Sequence, residues 1–251
     1  MKTRYFIFIS YKGTSYHGWQ LQPEAVTVQQ VLEEALSTIL CERISVTGAG
    51  RTDTGVHASF FCAHFDTSHS DLSTIKNFIF RLNCILPRDI SVNSVVKVMS
   101  DANARFSALS RTYKYYISRV KDPFIDDTSW YLHGNINIPA MNEACDLLYK
   151  YTDFTSFSKL HSGSKTNICK IYSALWEEEV HRLVFTIKAD RFLRNMVRAI
   201  VGTMVEIGFG KMNLKQFDDV ILDKNRCSAG KSVPAQGLFL TDIEYPPEIF
   251  I

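Results

Sequence analysis

The sequence predicts an α+β fold of two similar halves. Three observations carry that prediction. Strand-length apolar runs and helix-periodic segments alternate in the order β-α-β-β-α-β. The same order occurs twice along 251 residues. Apolar residues make up 46% of the chain and charged residues 22%, enough to bury a sizeable core. That order is the split β-α-β unit, an antiparallel sheet with helices on one face. We expect ferredoxin-like or RRM-like halves, residues 1–104 and 105–251, with antiparallel sheets whose open faces meet or build a cleft.

In the first half, Tyr5 to Ile9 reads as a buried strand of aromatic and β-branched residues. Val28, Val31, Leu32, Ala35, Leu36, Ile39 and Leu40 share one helical face, and Thr27 with Gln30 spells a capping box before it. Ile44–Thr47 and Ser59–Asp66 read as strands around a glycine-rich loop, Gly48 to Gly55. Leu72, Ile75, Ile79, Leu82 and Leu86 mark a second helix stopped by Pro87, and the valine-rich Ile90–Met99 a strand. In the second half, Arg111–Arg119 is a strand with Tyr113, Tyr115 and Ile117 on one side. Pro139 introduces a helix over Met141–Tyr151. Lys170–Val180 and Leu183–Ala189 form a hairpin turning at His181-Arg182. Helices follow over Phe192–Ile207, ended by Gly208 and Gly210, and over Leu214–Leu222; Leu238–Glu244 is the last strand.

Composition excludes several classes. The longest apolar candidate, Met196–Phe209, carries Arg198 and Glu206, so no membrane span is expected. The run after Met1-Lys2-Thr3-Arg4 is too short for a signal peptide, which leads to a cytoplasmic expectation. Six cysteines are scattered without a Cys-x-x-Cys pair, so we expect no metal and reduced thiols lying mostly in the core. Net charge is only +2, but it is segregated: Arg105, Arg111, Lys114, Arg119 and Lys121 run without a carboxylate, as do Lys159, Lys165 and Lys170. Such segregation suits a polyanion, though on charge alone a set of solvated faces accounts for it more simply.

The densest segment is Gly48-Ala49-Gly50-Arg51-Thr52-Asp53-Thr54-Gly55-Val56-His57-Ala58. Glycines permit its turns, and a cation, a carboxylate and two hydroxyls sit among them. On composition the segment reads equally as a stabilised turn or an active site. It is no dinucleotide loop, since Asp53 stands where a third glycine is needed, and no P-loop, since no Gly-Lys-Ser/Thr closes it. Asp53-Thr54-Gly55 matches the aspartic-protease triplet, but there is one copy, and Gly50-Arg51-Thr52 replaces the usual apolar flank.

Gly50 to Ala58 resembles the catalytic loop of the tRNA pseudouridine synthase A family. Further segments are similar in family order: Tyr11-x-Gly13-x-x-Tyr16-x-Gly18-Trp19-Gln20, Val28-Gln29, Ala104 to Ala108 with Arg111-x-Tyr113-x-Tyr115, Asp153 to Phe157, Phe192 with Met196 to Gly202, and Gly237-Leu238-x-Leu240. The resemblance implies an isomerase that converts uridine to pseudouridine at positions 38, 39 and 40 of the tRNA anticodon arm, without cofactor or metal, as a homodimer. It implies that Asp53 is catalytic, that Arg198 pairs with it, that Tyr113 stacks on the target base, that Arg51 helps displace the target nucleotide, and that Leu238 lines the base pocket. It implies two α+β halves whose sheets flank a central basic cleft, with the catalytic loop in the first half and the stacking Tyr113 and pairing Arg198 in the second. Arg105, Arg111, Lys114, Lys159 and Lys165 would contact phosphates. Read from the residues alone, Tyr113 and Leu238 are core, Arg51 a salt-bridge partner, Arg198 a helix-surface cation, and His57 and His64 structural. The alternative is a non-catalytic RNA-binding protein, which would have no need of the Asp53 loop.

Overall fold

The computed structural model describes residues 2–159 and 166–251. The chain forms two units, Met1–Leu109 with Leu240–Ile251, and Ser110–Phe239. The boundary therefore falls later than 104/105, and the C-terminal segment groups with the first unit. Main-chain bonds explain that grouping. Leu109 N donates to Glu244 O at 2.8 Å, Met99 N to Ile249 O at 2.9 Å and Ile251 N to Lys97 O at 3.2 Å.

The first unit runs β1 (Thr3–Tyr11), α1 (Val28–Leu40), β2 (Val46–Gly48), β3 (His57–Thr67), α2 (Phe78–Ile85) and β4 (Ile90–Lys97). Its strands pair antiparallel in the order β4-β1-β3-β2, Phe65 standing opposite both Tyr5 and Val46. On β1, Tyr5, Ile7, Ile9 and Tyr11 alternate on one face and are all buried. Phe6 points the other way and is equally buried, its ring 5.0 Å from Tyr245 and 6.1 Å from Phe250. Cover on both faces is why β1 reads as a continuous apolar run.

α1 has the boundaries its periodicity predicts. Thr27 accepts from Gln30 N at 3.3 Å, but the Gln30 side chain donates to Glu34, so only half of the expected capping box forms. The expected helix from Leu72 to Leu86 is broken. Asp71 accepts from Ser73 N at 2.8 Å and holds a 3-10 turn over Leu72–Thr74. Asn77 then takes φ 56°, and α2 begins only at Phe78. Short polar side chains here bond the backbone in competition with the helix.

His64 on β3 is buried and accepts from Ala104 N at 3.1 Å. Burial, and then the nearby Arg4 charge, push its imidazole down to about 4. The unfolded chain, with an ordinary histidine near 6.5, therefore binds the extra proton first. Stability from this group is complete above pH 6.5 and is lost as pH falls toward 4. Urea denaturation at pH 7 and pH 5 should differ by about 2 kcal/mol. His64→Gln should remove most of that difference.

The second unit runs β5 (Ser110–Ser118), β6 (Trp130–Tyr131), α3 (Ile138–Leu148), β7 (Ile171–Glu179), β8 (Arg182–Ala189), α4 (Met196–Gly208), α5 (Leu214–Leu222) and β9 (Leu238–Glu244), whose last residues belong to the first unit. β5 pairs antiparallel with β8, and β8 with β7, while the two-residue β6 lies parallel on the other edge of β5. The hairpin turns one residue earlier than expected, at Val180-His181, because Glu179 pairs with Arg182 and His181 takes φ 62°. α3 starts earlier than predicted because Asn137 caps it, accepting from Ala140 N at 3.0 Å, with Pro139 in the first turn. α4 starts later, at Met196, because Asn195 takes φ 67°. α4 is buried on nearly every side. Gly202 lets the main chain of Lys231 lie against it; a Cβ there would stand 1.9 Å from Lys231 O.

The cysteines divide evenly, contrary to expectation. Cys62, Cys145 and Cys169 are buried, whereas Cys41, Cys84 and Cys227 are exposed on loops or helix ends. Among the described residues, no helix is long and apolar enough to cross a membrane.

Candidate active site

The glycine-rich loop is built against the segment that follows β1. The Tyr11 hydroxyl and Thr52 Oγ1 share a hydrogen bond of 2.9 Å. Trp19 N donates to Thr52 O at 3.3 Å, and Gly13 N donates to His57 Nδ1 at 3.0 Å. Gly13 and Gly18 allow the two backbones to touch. A Cβ on Gly13 would stand 2.0 Å from Val56 O, and one on Gly18 2.4 Å from Thr52 O. The Trp19 indole covers Gly48 and packs on Phe61 at 4.1 Å. Asp53 to Val56 forms a tight turn. Val56 N donates to Asp53 O at 3.1 Å, and Gly55 takes φ 78°, the left-handed value that a type II turn needs at its third position.

Within this frame Asp53 is half-buried and Arg51 exposed, while Thr52, Val56 and His57 are buried. The loop therefore fixes its backbone from beneath through the residues on either side of Asp53. His57 is fully buried and serves as an acceptor for Gly13, the structural part expected of it. Sequence reasoning missed that Tyr11, Gly13, Gly18 and Trp19 are the brace of this loop. Two separately recognised segments are one device, and the signal was the pair of glycines at positions of no obvious turn.

The other expected residues lie in the second unit. Arg198 is in the first turn of α4 and half-buried. Its Nε donates to Val233 O at 2.7 Å, and its own carbonyl accepts from Val233 N at 3.2 Å. The paired bonds fix both the guanidinium plane and the strap that leads to Leu238. Leu238 is buried just after a 3-10 turn over Ala235–Gly237. Gly237 lies against the Tyr115 ring, where a Cβ would meet it at 2.7 Å, and the Tyr115 hydroxyl donates to Pro234 O at 2.8 Å. Tyr113 is half-buried, its ring edge-on to Phe192 at 5.0 Å. Arg198 on α4 is thus tied through Val233 to the strap that leads to Leu238, and Tyr113 lies two residues from the tyrosine that braces that strap.

Among the basic residues, Arg105 and Lys159 are exposed. Arg111 and Lys114 are half-buried on β5, and Arg111 Nη1 donates to Asp190 O at 2.8 Å. Arg119 is engaged in holding a loop, donating to Leu132 O at 2.6 Å and to Gly134 O. Lys165 lies outside the described residues.

A sequence model of the tRNA pseudouridine synthase family matches residues 7–107 and 150–246. The chain belongs to that family. Within it, the chain is 53% identical over 248 residues to the tRNA pseudouridine synthase A of Bacteroides fragilis, with 98% of each chain covered. It is 48% identical over 250 residues to that of Porphyromonas gingivalis, with 99% of each covered. It is 38% identical over 239 residues to that of Caldicellulosiruptor bescii, covering 94% of this chain and 97% of the relative.

Proposed function

We propose that this chain isomerises uridine to pseudouridine in tRNA, at positions 38, 39 and 40 of the anticodon stem-loop. The observation that carries the reading is 48% identity or more across nearly the whole chain to synthases of that name, with an intact and braced Asp53 loop. The reaction breaks the bond from ribose C1′ to uracil N1, turns the base and joins C1′ to C5. Substrate and product are isomers, so the reaction needs no energy source, and the family resemblance implies neither cofactor nor metal. One carboxylate serves it: Asp53 attacks as a nucleophile or takes a proton from the sugar. Arg198 pairs with Asp53. Tyr113 stacks on the base once it has left its helix, Leu238 lines its pocket, and Arg51 helps displace the nucleotide. Arg105, Arg111, Lys114, Lys159 and Lys165 hold phosphates, so affinity falls with salt.

The order β4-β1-β3-β2 and the pairing β5-β8-β7 favour ferredoxin-like halves, and the family resemblance implies a basic cleft for the RNA. The enzyme works as a cytoplasmic homodimer. Bonding C5 to C1′ must expel the C5 hydrogen, so tRNA tritiated at uridine C5 should release label to water on incubation with the protein. Replacing uridines 38, 39 and 40 by cytidine should abolish release. Release from that substituted tRNA would reject the assigned positions, and none from any tRNA would reject the isomerase.

A further inference from the structure

The loop after β4 presents an exposed aromatic ring on a rigid mount. Phe106 is 79% exposed, and the Arg105 guanidinium lies over its ring at 5.4 Å. The loop beneath is heavily bonded. Asn103 Oδ1 accepts from Arg105 N at 2.9 Å and from Phe106 N at 3.2 Å, and Ser107 Oγ accepts from Asn103 N at 2.9 Å. Ala104 is buried and held at both ends: its N–H donates to His64 Nδ1 at 3.1 Å, and its carbonyl accepts from the Tyr245 hydroxyl at 2.6 Å. The phenylalanine is thus fixed in water by a scaffold that reaches into the core.

We propose that Phe106, with Arg105, is a stacking post for an unpaired base of the bound RNA. The inference rests on the RNA substrate argued above and adds a contact made by the first unit. An aromatic face accepts any base, and an arginine beside it adds cation–π attraction and a charge for the adjoining phosphate. The stretch of sequence that Arg105 opens favours RNA over an apolar partner, because it runs to Lys121 with five cations and no carboxylate. Phe124 makes the contrast: it is 91% exposed, but Asp122, Asp126 and Asp127 surround it in sequence, a setting that repels phosphate.

The test uses the full-length protein with tRNA and with an anticodon stem-loop carrying 2-aminopurine at single loop positions. Phe106→Ala should weaken RNA binding about tenfold or more, the fold-change expected for one lost base stack. It should also lose the 2-aminopurine quenching at one position, while Phe106→Trp retains both. The slope of affinity against salt should stay unchanged in Phe106→Ala and become shallower by about one in Arg105→Ala. Phe124→Ala should match wild type, and thermal midpoints should not move. Wild-type affinity and quenching in Phe106→Ala, with tritium release intact, would overturn the stacking post and leave the enzyme reading standing. A change of oligomeric state with unchanged RNA affinity would also overturn it, making the ring a contact between protein copies. A wild-type protein that binds no tRNA would sink both.

Discussion

Asp53→Asn and Asp53→Ala should release tritium from C5-labelled tRNA at least about 10²–10⁴-fold more slowly than wild type, the usual contribution of one positioned general base. A larger loss would point to a covalent role for the carboxylate. Affinity for tRNA should stay within a few-fold. The separation follows from how the loop is built. Bonds through Thr52, the Asp53 main-chain carbonyl, Val56 and His57 shape it. Asn at this position keeps the shape and hydrogen-bonding oxygen but removes the charge, so it isolates the chemistry from the frame. Filter binding beside single-turnover tritium release measures both quantities on one preparation. If affinity and rate fell together in Asp53→Asn, Asp53 would be holding RNA rather than breaking the glycosidic bond, and the binding-protein reading would gain.

The elements most legible in the sequence were those whose pattern and boundary chemistry agree. α1, α5 and β9 have the limits their patterning predicts; Thr27 and Asn213 cap the two helices, and Gln216 completes a capping box that periodicity alone does not reveal. Where periodicity ran on but local polar chemistry intervened, the pattern misled. Asp71 and Asn77 cut the expected helix at Leu72–Leu86, and Asn195 at φ 67° delays α4 beyond Phe192. The two-residue β6 has no periodicity to detect. In the site, the loop was legible as a segment and its construction was not. By type and spacing alone Asp53 and its neighbours divide between a stabilised turn and an active site, and only the resemblance over many segments favours the second. That Gly13 must face Val56, or that Gly202 must admit Lys231, depends on pairings between distant segments that no local pattern records.

That construction gives a prediction with opposite signs in one loop system. Gly13→Ala should cost about 2–3 kcal/mol of stability, toward the upper end for overpacking. The added Cβ would fall 2.0 Å from Val56 O, and the obstacle is backbone, which has no rotamer by which to yield. The strain is relieved only by moving Val56, and with it the turn that carries Asp53, because Val56 N is bonded to Asp53 O. A shift approaching 1 Å in a reacting group costs about 10²-fold in rate. Gly13→Ala should therefore slow tritium release by about that factor, in protein confirmed folded by circular dichroism at the assay temperature. Gly50 lies inside the loop itself, yet a Cβ there would meet nothing within 4 Å, and its φ is not left-handed. Gly50→Ala should be neutral or stabilise by up to ~1 kcal/mol, through the lower entropy of the unfolded chain. Urea denaturation and tritium release on the two variants decide the point. Equal activity in both would mean that the brace supports the fold without positioning Asp53.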